Sequence, residues 1–309
     1  MKINYLIIYL ISIITLVSCE QFLEVDLPGQ EPRLVLNALL EPSDTLKVFL
    51  TKSKGVLEGT LFNEEFDLVA GAEVSLKDQD GQIFPMEYID RSTRFKPNAF
   101  YYLSGHQFLG DHNYELVAEK EGLPTISSTQ KLPKQIQIKS IDMINLGPGD
   151  EHGGDDDFEV TVKFEDPSGR NFYEISGGIF GRNIFISEGD TSLFFFSSDL
   201  YPEPVNPVYK KDYLMRSVLL FNDILLNGSE SEIVFRTSIR KNMDMEVTIR
   251  LAHVSESYYR FYDTADLQQA NRGDFLSQPV LVFNNVTNGL GIFKSKNTDQ
   301  RVIEMRVGD

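Results

Sequence analysis

Between residues 33 and 130 the chain repeats one pattern seven times. A run of five to eight residues carries alternating apolar and polar side chains and is then closed by turn-forming residues. The runs are RLVLNALL (33–40), TLKVFLT (45–51), AEVSLK (72–77), QIFPMEYI (82–89), FYYLS (100–104), NYELVAE (113–119) and ISSTQ (126–130). A period of two gathers the apolar side chains on one face, so each run reads as a half-buried strand. Glu41-Pro42-Ser43-Asp44, Asp80-Gly81 and Gly110-Asp111 separate the runs. Such residues close short antiparallel connections, whereas parallel units need long crossovers. The expectation is an immunoglobulin-like β-sandwich over 33–134, with Pro85 at an edge or bulge because it cannot donate to a ladder.

Leu132-Pro133-Lys134 interrupts the pattern and is read as a domain boundary. Beyond it, Gln135 to Leu146 reads as extended, and GPGDEHGGDDD (147–157) as an acidic loop. Strands are expected at 158–165, 172–180, 193–197, 214–221, 232–236 and 246–253. The period then changes. In VSESYYRFYDTADLQQANRG, Tyr258, Phe261, Tyr262 and Ala265 recur at helical spacing. Ser255 suits an N-cap and Gly273 an end, which predicts a helix near 255–271 whose aromatic stripe packs on a sheet while Tyr259 points elsewhere. Strands at 279–286, 290–296 and 301–307 complete a second β-rich domain over 135–309, with Asn288-Gly289 as a hairpin turn between the first two. The chain has no tryptophan, and its 22 phenylalanines and 13 tyrosines suit a mainly β fold.

The N-terminus, MKINYLIIYLISIITLVSCEQ, has a different character. Lys2 precedes a 13-residue apolar run from Tyr5 to Val17, shorter than the roughly 20 residues a spanning helix needs and of the length of a signal h-region. Leu16-Val17-Ser18-Cys19 resembles a bacterial lipobox. Residues 1–18 then form a lipoprotein signal peptide, Cys19 is acylated, and 19–32 form a tether rich in residues that resist helix. Cys19 is the only cysteine, so it has no disulfide partner within the chain, and lipidation gives it a role. Burial at about 0.8 kcal/mol per CH2 makes a multiply acylated cysteine a firm membrane anchor.

A formal charge of −17 argues against nucleic acid, which needs a basic stripe, and against anionic lipid surfaces. His106, His112, His152 and His253 fall in no recognised ligand spacing, and no Gly-x-Ser-x-Gly elbow is present. The chain is therefore read as a non-enzyme that needs no cofactor. Calcium is the ion that the acidic residues suit better. Asp150, Glu151, Asp155, Asp156 and Asp157 can offer it oxygens, though a solvated acidic loop explains them without further assumption. Asp78-Gln79-Asp80-Gly81 lacks the distal glutamate of a calcium loop and is read as a plain turn.

Several stretches resemble one family: the lipobox Cys19 with its acidic tether, Glu31-Pro32-Arg33-Leu34-Val35-Leu36, Phe221-Asn222-Asp223 with Asn227-Gly228, and Asn285-Val286-Thr287-Asn288-Gly289-Leu290-Gly291-Ile292-Phe293. Together they resemble the Bacteroidota lipoproteins classed as domain of unknown function 4249, over essentially the whole mature chain. The resemblance implies an outer-membrane lipoprotein commonly encoded beside a TonB-dependent receptor, hence an accessory role in uptake, and it carries no catalytic residues. Glu20, Glu24 and Asp26 loosely resemble signals for display at the cell surface. The competing expectation is an adhesive or structural surface protein that works without a transporter. The last motif is read as structural: backbone geometry accounts for Gly289 and Gly291, and burial for Leu290, Ile292 and Phe293.

Overall fold

Alternation along the first strand decides its orientation, since Leu34, Leu36, Ala38 and Leu40 are buried and Asn37 faces outward. The computed structural model describes residues 31–54, 67–93, 96–149, 154–187, 190–209, 217–226, 228–240, 244–271, 278 and 280–306. In chain order the strands are β1 (Leu34–Leu40), β2 (Thr45–Lys52), β3 (Asp67–Leu68), β4 (Glu73–Lys77), β5 (Ile83–Pro85), β6 (Glu87–Asp90), β7 (Ala99–Ser104), β8 (Asn113–Glu119) and β9 (Ile126–Lys131). They continue as β10 (Ile138–Pro148), β11 (Asp155–Glu165), β12 (Phe172–Ser187), β13 (Asp190–Asp199), β14 (Glu203–Pro204), β15 (Val218–Asn222), β16 (Glu230–Arg240) and β17 (Asp244–Val254). Helix α1 (Glu256–Ala270) and β18 (Leu290–Met305) follow. The protein is mainly β, with one α-helix among the described residues.

These strands form three sheets. The largest has ten strands on the path β13-β12-β17-β18-β1-β2-β7-β6, with β15 beside β12 and β3 beside β2; the others are β10-β11-β16-β14 and β5-β4-β8-β9. Leu36, Leu46 and Val48 of the large sheet meet Val74, Leu76 and Leu116 of the second small sheet in one core. Ile175, Val247 and Leu251 meet Val160, Val162 and Phe235 of the other small sheet in a second core. At about 1.5–3 kcal/mol for each fully buried side chain of this size, these two layers are the main stabilising term. Residues Pro32–Asp309 group as one compact unit. No helix among the described residues is long and apolar enough to cross a membrane.

The last strand links the layers. β18 runs parallel to β1 from Val35↔Leu290 to Leu40↔Ser295, then antiparallel to β17 from Val254↔Lys296 to Met245↔Met305. Phe293 therefore enters the first core, while Ile303 and Met305 pack against the second. Tyr101 pins the edge of the first core, its hydroxyl donating to Val69 O at 3.0 Å and accepting from Ala72 N at 2.8 Å.

The structure differs from the sequence reading in several places. The run 82–89 is two strands on different sheets, β5 and β6, which switch at Met86; Pro85 lies on the edge strand β5, where a missing N–H costs least. The runs expected at 290–296 and 301–307 are one strand of 16 residues. The described residues of 279–286 form no strand, because the edge of β18 they face is satisfied by a side chain instead. The acidic loop is shorter than 147–157, since Gly147 and Asp155 to Asp157 already pair across β10 and β11. Ser255 caps α1 as expected, its hydroxyl accepting from Tyr258 N at 3.2 Å. Asn271 is the observed C-cap, and Gly273 lies outside the described residues. Tyr259 packs on Phe172 with ring centroids 4.8 Å apart, so that ring too is used internally.

Candidate functional site

The motif at 285–293 is a backbone junction. Asn285 acts as a ladder partner for β18: its Nδ2 donates to Phe293 O at 2.7 Å and its Oδ1 accepts from Phe293 N at 2.9 Å. Asn284 Nδ2 donates to the carbonyls of Val286 and Gly289, which holds the loop closed. Asn288 adopts φ 59° and donates through Nδ2 to Thr125 O. A Cβ at Gly289 would lie 2.7 Å from Ile126 Cγ2, and one at Gly291, where φ is +111°, would lie 2.0 Å from Leu36 O. Val286, Ile292 and Phe293 are buried, but Leu290 is 38 % exposed, so burial does not explain it. Leu290 begins the strand at a point where only β1 covers it.

The second family stretch encloses a buried carboxylate. Asp166 accepts a short hydrogen bond from the Tyr173 hydroxyl and one of 2.8 Å from Gly228 N, and Asp223 accepts from Asn171 N at 2.6 Å. Asn227 lies outside the described residues. Burial, then the bond to Asp166, pushes the Tyr173 hydroxyl far above its ordinary value, so it stays a donor. His253 stacks near Tyr173 at 5.7 Å, and its Nδ1 lies 3.0 Å from Lys134 O. Burial lowers its pKa below 6.5, which keeps the ring neutral. These contacts fasten loops and leave no group free to react. His106 sits among Phe84, Phe108 and Tyr114, His112 bonds Gly110 O, and His152 lies outside the described residues.

Helix α1 rests on a polar seam that sequence periodicity did not reveal. Lys294 is buried, its Nζ donating to the Tyr262 hydroxyl at 2.9 Å and lying 4.6 Å from that ring's centroid and 5.2 Å from that of Phe261. Lys296 pairs with buried Glu174 at 3.4 Å, and Glu174 also accepts from the Tyr258 hydroxyl at 2.5 Å. Gln130 joins Ser257 to Ser295 at the same seam. The alternating lysines of LGIFKSK were the available signal, because two cations on one face of a strand need partners.

A more open cavity lies where the strands β11, β13 and β16 converge, a cleft of about 700 Å³. Its wall includes Asp155, Asp157, Tyr201, Glu203, Arg236 and Arg240. Asp155 is 3.7 Å from Arg240, and Asp157 accepts from Ser238 Oγ at 2.6 Å. Arg240 also covers the ring of Phe196 at 4.9 Å, and Arg236 reaches Glu159 at 3.2 Å. The cleft thus offers carboxylates, guanidinium groups, hydroxyls and an exposed tyrosine ring, a set suited to holding a polar ligand by several hydrogen bonds and one apolar face. Of the five acidic residues considered for calcium, Asp155 and Asp157 line this cleft, Asp156 accepts from Asn145 Nδ2 at 3.2 Å, and Asp150 and Glu151 lie outside the described residues. Among the described residues no three His, Cys, Asp or Glu side chains group to hold a metal. Leu16, Val17, Ser18 and Cys19 also lie outside them.

The family model described as Domain of unknown function (DUF4249) matches residues 20–301. No curated protein matches the chain.

Proposed function

The chain belongs to the family described as domain of unknown function DUF4249, and from that premise we propose that it is a lipid-anchored accessory protein of a TonB-dependent outer-membrane transporter, assisting the binding or uptake of a nutrient. One observation carries the reading. A 13-residue apolar run ends at Leu16-Val17-Ser18-Cys19, and only a short acidic tether separates that cysteine from the first strand at Leu34. Acylation there would hold the β body beside the outer membrane, with Glu20, Glu24 and Asp26 favouring the cell-surface face. The cleft with Arg236, Arg240 and Tyr201 is the place on the body where a polar nutrient would lodge. The role is one of binding and not of catalysis.

Cys19→Ala tests the anchor. The variant is expected to leave the outer-membrane fraction as precursor or soluble product while its thermal unfolding stays that of the wild type, because the core begins beyond the tether. Continued partition with the membrane would mean that protein contacts hold it there. Mild detergent extraction of the wild type should recover a TonB-dependent receptor with it. Reproducible absence of that receptor would favour the adhesive reading instead.

A further inference from the structure

Strand β13 ends the ten-stranded sheet, and among the described residues nothing pairs with its outer edge. Exposed edges of this kind are normally blunted by lysine, proline, a bulge or brevity. This one has ten residues, DTSLFFFSSD, holds an unbroken register against β12, and contains neither lysine nor proline. Its apolar middle is bare on both faces. Leu193 and Phe195, on one face, are 58 % and 57 % exposed, Phe194 on the other is 56 % exposed, and Phe195 stacks on Phe180, itself 46 % exposed. Phe196 reaches the second core, whereas Phe194, two residues further out, has left it.

We propose that this edge pairs antiparallel with the same edge of a second copy of the chain, centred on Phe194, so that one sheet runs through both. The pairing rule limits the choices. Facing residues of an antiparallel pair point to the same side, so in a two-fold pair of identical strands the numbers of facing residues must add to an even total. Centring on Phe194 sets Phe194 against itself, Leu193 against Phe195, Thr191 against Ser197 and Asp190 against Ser198 of the second copy. Apolar residues are set against apolar ones at the centre, the register puts threonine opposite serine outside them, and no acid is set opposite an acid, although the chain carries −17 overall. Only Ser192, opposite Phe196, is mismatched. This near-symmetry of the strand about its own middle is what selects a second copy over an unrelated strand.

The area is adequate for reversible association. Four large side chains, each with about 200 Å² and roughly half bare, present about 400 Å² per copy, and the backbone edge brings the pair toward the roughly 1,200 Å² of small specific interfaces. Phe194→Cys in the full-length chain tests the register. The facing Cα atoms would be about 4.5–5.5 Å apart, within disulfide reach, so mild oxidation should give a covalent dimer as the main species. Ser197→Cys, which would face Thr191, and the wild type with Cys19 alone should give little. Equal dimer from Ser197→Cys, or none from Phe194→Cys, would overturn the pairing. Sedimentation of the detergent-purified full-length chain gives a second readout: the wild type should dimerise at about 100 μM and Phe194→Asp at least tenfold more weakly, with an unchanged melting temperature. A wild type that stays monomeric there would refute the second copy, and so would a Phe194→Asp variant that loses a β-barrel partner without any change in self-association, which would assign the edge to a different protein.

Discussion

At Gly291 the space for a side chain is already occupied: the carbonyl of Leu36 would stand 2.0 Å from a Cβ, and φ is +111°. Gly291→Ala should therefore lose more than about 3 kcal/mol of unfolding free energy, from steric overlap and backbone strain together, read as a lowered urea midpoint. Asn285→Ala should cost about 1–3 kcal/mol by leaving the N–H and C=O of Phe293 unpaired. His253 gives a pH prediction. Its folded pKa lies below 6.5, so the unfolded chain takes up the proton first; the contribution is intact above about pH 6.5 and is lost as pH falls below it. The slope of stability in that window should differ between wild type and His253→Gln by at most about 1.4 kcal/mol per pH unit. The glycines of the terminal motif were legible as backbone requirements, since glycine after Asn-Gly has few other reasons. That β1 is what presses on Gly291 was not, because nothing local records a strand 255 residues earlier.

Among the elements, strands with one wet face were legible and those with two partners were not. RLVLNALL and NYELVAE alternate because only one side of each is covered, and their burial follows that pattern. β18 reads as two pieces because its apolar set changes core midway, from Phe293 to Ile303 and Met305. The segment 279–286 has the composition of a strand, but Asn285 gives its amide to β18 in place of a ladder. For α1, period 3.6 located the aromatic stripe and Ser255, while the cations beneath it came only from the fold. Lys294→Ala should destabilise the protein by about 1–3 kcal/mol, through lost packing and lost contact with the rings of Phe261 and Tyr262. Lys294→Met, which keeps the stem, should recover part of that loss. Comparing the two melting temperatures separates charge from volume.

For the molecule as a whole, the last strand is a structural member of the first core. A fragment of residues 33–134 lacks Val286 and Phe293 and leaves β1 without its parallel neighbour. It should bind a hydrophobic dye and unfold without a sharp transition, whereas the chain from residue 33 to the end should unfold cooperatively. The cleft shows the same limit of local reading. Asp155 and Asp157 stand out in sequence as acid, but Glu203, Arg236 and Arg240 join them only once β11, β14 and β16 are brought together. The placing of β1 also bears on force. Its neighbours are β2 on one side and β18 on the other, and it is the first strand of the described residues. Tension applied along β1 itself would load the hydrogen bonds of both ladders together in shear, so that they must fail at once. Peeling would break them singly at far lower load. A pull applied at the start of β1 would thus meet the protein where it resists pulling best.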